Sequence, residues 1–243
     1  VLVVNNIIKT ISSASISSPK GLKTIRLSGE GRTLMPGLID AHVHLYLNIK
    51  PTILLNPKTS TQKLEEIASG NGKAALMSGF TTIRDMAGPV FKLKQAIDRD
   101  EVVGPRIYPS GTIISQTSGH GDFSHPEDLP HSLGGPLPIT SKLGLSSIAD
   151  GPDQVLAAAR YNLRQGASQI KIAAGGGIVS NFDPIEVTEY TYPEIRAAVQ
   201  AASDFGTYVA AHAYTPTSVR RCVAAGVKVI EHGQSLDEAT HRL

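Results

Sequence analysis

Two histidines one residue apart, His42 and His44, lie in the stretch from Thr33 to Leu47, which reads TLMPGLIDAHVHLYL. In a strand, residues i and i+2 project to the same side, so both imidazoles face one point while Val43 faces the opposite packing layer. Two neutral imidazoles converging from one strand make a half-site for a divalent metal. With eight histidines in 243 residues, a bare H-x-H is weak, and two surface or core histidines would satisfy it equally. The context is more telling. A Pro36-Gly37 turn enters the apolar pair Leu38-Ile39, and further His and Lys positions fall at the ends of later strands.

Those later positions are Lys171 in QIKIAAGGG, His212 in VAAHAY and His232 in VIEHG. A lysine inside an apolar strand is costly to bury unpaired, so Lys171 is either a ligand or an outward-reaching side chain. Taken alone, His212 and His232 read equally as hydrogen-bonded core histidines. Four strand ends carrying such residues in barrel order point jointly to a metal site. Glu231 and Asp40, next to or near ligand histidines, are expected to point away from them and to serve structure. Asp85, ending TTIRD, shapes the site mouth or lies at the surface. His120 in SGHGD sits on the long third loop, above the barrel mouth by topology, and Tyr214 lies two residues beyond His212. His120 reads as a solvated loop histidine. His125, His131 and His241 carry no assigned role.

The elements that must position these residues follow a strand–loop–helix pattern from residue 33 onward. Strands are predicted at Leu38–His44, Thr81–Asp85, Arg106–Ser110, Gln169–Ala173, Tyr208–Ala213 and Val227–His232, and helices at Thr61–Met77, Val90–Arg99, Pro152–Gln165, Pro193–Phe205 and Pro216–Ala225. Pro152, Pro193 and Pro216 suit a first helical turn, which needs no N–H. Gly79, Gly166, Gly206 and Gly226 suit the left-handed residue that ends a helix. Strands alternating with helices imply parallel pairing, best met by a TIM-type (β/α)8 barrel with its site at the strand C-termini. Residues 1–32 alternate weakly (VLVVNNIIKTIS, then KTIRLSGEG) and read as a few short antiparallel strands, giving two segments, 1–32 and 33–243. Two connections are long: Ser115 to Asp150, and Gly175-Gly176-Gly177 to Tyr192; such loops are usually functional or disordered. The count stops at six strands as a helix (SLDEATHRL) begins, so the barrel is expected to be incomplete, cut short after strand six.

Composition narrows the function classes. A formal charge of +2 is too small to argue for nucleic acid or an anionic membrane. The one cysteine, Cys222, excludes an internal disulfide and a multi-cysteine zinc site, and its place in RRCVAAG suits a buried thiol. No run of 18 apolar residues is present. The compartment stays open, with the cytoplasm slightly favoured.

The segment PGLIDAHVH resembles the first-strand signature of the metal-dependent amidohydrolase superfamily. The later motifs resemble its imidazolonepropionase-like branch, which includes Xaa-Pro dipeptidases (prolidases) and a fungal ochratoxin amidohydrolase. The resemblance covers nearly the whole chain and implies several things together. Residues 1–32 would be the N-terminal part of a small β-sandwich. His42 and His44 would hold one divalent ion, zinc being the first choice, and His212 and His232 a second. Lys171, carbamylated by CO2, would bridge the two. His120 and Tyr214 would contact the free carboxylate of a small-molecule substrate, an N-acyl amino acid or a dipeptide such as Xaa-Pro, cleaved by a metal-activated bridging hydroxide. The family's acid/base is an aspartate ending strand eight, for which this chain has no counterpart; Asp237 lies after strand six and is no substitute. A cyclic-amide hydrolase or deaminase is the alternative within enzymes, and an inactive truncated fragment the alternative outside them. The complete protein is expected to be a homo-oligomer, and the chain alone inactive.

Overall fold

Proline and glycine punctuate the helices as their chemistry demands. Pro152 and Pro216 open theirs, Pro193 sits in a first turn, and Gly79, Gly166, Gly206 and Gly226 follow helix ends in the left-handed region. The structure, a computed structural model, describes residues 1–54, 56, 58–180 and 182–243. It divides into two compact units, Val1–Pro36 and Gly37–Leu243. In the first, β1 (Leu2–Val4) and β2 (Ile7–Thr10) pair antiparallel. Asn5 and Asn6 turn the chain between them, both at positive φ (51° and 61°), as a two-residue hairpin loop requires. The expected strand in KTIRLSGEG does not form, so the partial β-sandwich is here a single hairpin among the described residues.

The second unit runs β3 (Leu38–Val43), α1 (Pro51–Leu54), α2 (Thr61–Met77), β4 (Phe80–Asp85), α3 (Phe91–Asp98), β5 (Arg106–Pro109) and β6 (Ile113–Ser115). It continues through α4 (Ile139–Lys142), β7 (Ser146–Ile148), α5 (Pro152–Arg164), β8 (Ile170–Ala173), α6 (Tyr192–Asp204), β9 (Val209–Ala213), α7 (Pro216–Ala225), β10 (Val229–His232) and α8 (Glu238–His241). Pairing is parallel throughout, in sheets of order β3-β4-β5 and β10-β9-β8-β6-β7. The six expected strands therefore stand in sequence order, with the third bent into β5 and β6. β7, in the long 115–150 connection, adds a strand beside β6. β3 and β10 are the two ends of this arc and share no ladder among the described residues. Among the described residues, no helix is long and apolar enough to cross a membrane.

The register fixes which face each residue takes. Ile170 and Ile172 pack outward with Val155, Ala159, Ile195 and Ala198 of the covering helices, and Ile83 and Ile107 pack with Leu64 and Ala68. Cys222 is buried in the first of these clusters, and burial pushes its thiol up to about 12. Lys171 pairs with Ala210, Ala173 with His212, and His212 with Glu231, so Lys171, His212 and Glu231 all lie on the inner face.

The bend in the third strand depends on Gly111, at φ 78°. A Cβ there would come within 2.6 Å of Asn162 Oδ1. That oxygen accepts from the Thr112 N–H at 3.2 Å, while the Asn162 amide donates to the Thr112 carbonyl at 2.9 Å. Gly111→Ala is expected to cost at least about 2 kcal/mol, from left-handed strain and the displaced amide. A denaturant midpoint equal to wild type, at unchanged slope, would refute this account of the bend.

Candidate active site

The first histidine pair forms because β3 carries an irregularity. Asp40 pairs with Ile83 but Val43 pairs with Asp85, so one extra residue bulges between them. Asp40 secures the bulge by accepting from the His42 N–H at 3.0 Å, a structural role as expected. His42 Nε2 and His44 Nε2 then stand 3.3 Å apart.

His232 reaches the site differently. It pairs with Ala213, a register that points it outward, but its φ of 77° followed by Gly233 at 66° turns the chain. Its ring ends 5.0 Å from the His42 ring and 4.6 Å from the His212 ring. Glu231 consequently faces inward, correcting the expectation that it points away. Its Oε2 lies 2.6 Å from His42 Nδ1, and its Oε1 pairs with Arg84. A carboxylate only accepts, so His42 donates from Nδ1 and keeps its Nε2 lone pair for the site. His212 donates from Nε2 to the Gly176 carbonyl at 3.0 Å, leaving Nδ1 as its acceptor. Tyr214 stacks on His232 (5.0 Å, 10°) and meets His212 edge-on.

Burial sets the electrostatics. Desolvation, then the Lys171 charge, lowers His44 to about 3 and His232 to about 4; desolvation, then His120 and Lys171, lowers His212 to about 2. Desolvation likewise lowers Lys171 to about 7, with Glu231 opposing and Arg84 assisting. Burial works against the ionised Glu231, but the hydrogen bond from His42 and the nearby cations prevail and hold it below the usual range. At neutral pH the imidazoles are neutral donors around a lysine that is partly uncharged.

His120 joins this cluster, stacked on His212 at 4.0 Å and 12°. It is not a solvated loop residue. Its N–H donates to Glu189 at 2.8 Å, and its Nδ1 lies 2.8 Å from Ser180 Oγ and 3.1 Å from Asp183 Oδ2. Burial lowers its pKa, with Asp183 opposing. Asp85 is fully buried rather than superficial: it accepts from the N–H groups of Leu45 and Ala87, and burial raises it to about 7. Asp237 is remote in role, capping α8 through Thr240 and pairing with Arg220. His125, His131 and His241 bond only within their own loops or turn.

Sequence reasoning missed Arg84, Glu189, Ser180 and Asp183. Arg84 alternates with the outward-packed Ile83 and Asp85, the one signal that it faces inward. Nothing in the sequence marks the other three.

The donor set suits a divalent cation. Neutral imidazoles crowd one face, and His44 Nδ1 is buried without a hydrogen-bond partner. Among the described residues, no group of three or more His, Cys, Asp or Glu side chains is arranged to hold a metal ion, so the fit rests on donor chemistry.

A parallel arc of strands under helices, with histidines and a buried lysine at the strand ends, defines a class. The chain belongs to the amidohydrolase family, which matches residues 33–241. It is 32% identical over 249 residues to the ochratoxinase of Aspergillus niger, covering 98% of this chain and 51% of the relative. A prolidase solved with N-methylphosphonate-L-proline is 40% identical at a TM-score of 0.77, covering 85% of this chain and 50% of that one. A Xaa-Pro dipeptidase with methionine bound in its active site is 31% identical at a TM-score of 0.72, again over 85% and 50%. The chain thus spans about half the length of the curated relatives it matches.

Lys171 supplies a stability test in metal-free, bicarbonate-free buffer. Its folded pKa is lowered, so the cost of burying the cation is fully present below about pH 7 and fades as pH rises from there toward 10.5. Lys171→Met should therefore exceed wild type in stability by a few kcal/mol at pH 6, with the gap narrowing by pH 9.5. A gap independent of pH in denaturant titrations would contradict burial as the cause.

Proposed function

We propose that the protein carrying this chain is a metal-dependent hydrolase of amide bonds in N-acyl amino acids or dipeptides such as Xaa-Pro, with a free carboxylate beside the scissile bond. The observation that carries the reading is the convergence of His42, His44, His212 and His232 with the buried Lys171 on one inner face. His42 and His44 would hold one divalent ion and His212 and His232 another, and imidazole with oxygen donors suits zinc. When bound, such ions supply Lewis acidity to a carbonyl and lower the pKa of water.

The chain's own residues prepare that chemistry. Glu231 fixes the His42 ring by taking its Nδ1 proton in a hydrogen bond, and the Gly176 carbonyl does the same for His212 Nε2. Lys171, lowered to about 7, has a neutral fraction at neutral pH. Only a neutral amine adds CO2, forming an N–C bond and releasing one proton to give a carbamate. That converts a cation, which repels metals, into a two-oxygen anion between the histidine pairs. His120 and Tyr214 flank His212 and would meet the substrate's carboxylate. The ligands in the two solved relatives, an N-substituted proline and methionine, both contain an amino acid and support this chemistry.

The full-length protein, loaded with zinc in the presence of bicarbonate, is expected to contain close to two transition-metal ions per chain. It should hydrolyse N-acyl amino acids at least tenfold better in kcat/KM than their amidated forms, in line with about 1.5–3 kcal/mol for a charge-assisted contact. Fewer than one ion per chain would remove the metal reading. Equal rates on acid and amide would remove the carboxylate reading and leave the metal one intact.

A further inference from the structure

The loop opening at Gly175-Gly176-Gly177 is bound to His120 more closely than a connection between strand and helix needs. A Cβ on Gly177 would fall 2.2 Å from His120 Nδ1 and 2.3 Å from its Cε1, so the imidazole lies directly on the glycine backbone. Farther along the same loop, Ser180 Oγ and Asp183 Oδ2 both reach Nδ1. Farther still, Glu189 holds the backbone N–H of His120. The loop is anchored in turn: Gly177 N–H donates to the Asp183 carbonyl at 3.0 Å, and Glu189 N–H donates to the Ala174 carbonyl at 3.0 Å. The Asp183 side chain is fully buried, and among the described residues its Oδ1 has no hydrogen-bond partner. Its one side-chain hydrogen bond among those residues is to His120.

We infer that Asp183, seated by the Gly177 backbone, is a positioning residue that sets which nitrogen of His120 meets the substrate's carboxylate. This rests on the carboxylate-reading role proposed above for His120. Ring orientation is decided by Nδ1, since both loop side chains engage that atom, and Nε2 makes no hydrogen bond among the described residues. The stacked His212 on one side and Gly177 against the Nδ1–Cε1 edge leave the ring little freedom to flip. With Nδ1–H donated to Asp183, Nε2 is the atom turned toward an incoming anion, and it meets that carboxylate as a second N–H, the bound ring carrying protons on both nitrogens. The three-glycine run is then explained in part by contact: a side chain at residue 177 would displace the ring, and one at residue 176 would strike the Pro184 carbonyl at 2.0 Å.

The test compares an N-acyl amino acid with its amide in the full-length protein. For Asp183→Ala, KM for the free acid should rise about tenfold, kcat should change far less, and the amide should be affected much less than the acid. The acid-to-amide ratio then falls toward one. Gly177→Ala, which is not at positive φ, should give the same signature by moving the ring from the other side. Asp183→Asn, which keeps a hydrogen-bonding group beside Nδ1, should recover part of the ratio. If both Asp183→Ala and Gly177→Ala lose activity on acid and amide in equal proportion, or keep the wild-type ratio, the positioning role is wrong. Should Asp183→Ala not fold, Gly177→Ala and Asp183→Asn decide the matter by the same ratio. A wild-type protein with no preference for the acid overturns the carboxylate reading itself, an outcome separate from a normal wild type with unaffected variants.

Discussion

One carboxylate organises the inner face. Glu231, at the end of β10, pairs with Arg84 of β4 and accepts from His42 of β3. Arg84 also donates to the Ala41 carbonyl at 2.6 Å and to the Tyr208 hydroxyl at 3.3 Å. A single charged network thus links the first, second and sixth strands with the approach to the fifth, although β3 and β10 share no backbone ladder. A lone buried carboxylate would be expensive, and so would a lone guanidinium. Together they satisfy each other, and removing one would strand the other. The same contact that closes the arc with side chains also sets the tautomer of His42, so architecture and site chemistry are one constraint here.

A second consequence follows from crowding. Lys171, His44, His212, His232 and His120 are crowded together; burial disfavours a proton on each, and the Lys171 and His120 charges add to the penalty on His44, His212 and His232. Glu231 is the nearby anion that opposes this for Lys171 and His232. The result is a set of lone pairs rather than cations, which is what a cation or a carbamate-forming amine requires. The resemblance to hydrolases and the physical state of the residues thus point the same way by independent arguments.

Much of this was legible in the sequence because it depends on local chemistry. The bounds of α2 and α7 are as read, and α5 and α6 shift by a residue, since proline, glycine and capping side chains act within one turn. The strands carrying His42, Lys171 and His212 were legible from apolar runs and turns. What stayed hidden depends on register and on conformations that sequence does not mark. His232 adopts a left-handed conformation without being glycine, and this alone reversed the assignment of Glu231; Gly233 was the sole clue. β7 and α4 are too short and too rich in serine and threonine to show a period. Arg84 looked like any strand arginine until its partner four strands away was known. Ser180, Asp183 and Glu189 meet His120 only because two loops, after the third and fourth strands, fold onto each other.

That last contact separates two kinds of work in the molecule. Residues on strands hold the donors: Lys171 and His212 inherit the rigidity of strands laddered on both sides, while His42 lies on β3, laddered to β4 and held by the Glu231 side chain. His120 comes from a loop and owes its place to side chains of a second loop. Loops vary without disturbing the sheet, so the residues that would choose a substrate are free to change while those that would hold metal are not. The two sets touch where His120 stacks on His212. A displacement of His120 therefore alters one face of His212 but leaves its hydrogen bond to Gly176 and its ladder to β8 and β10 in place. That arrangement allows selectivity to drift across such a family without loss of the centre beneath it.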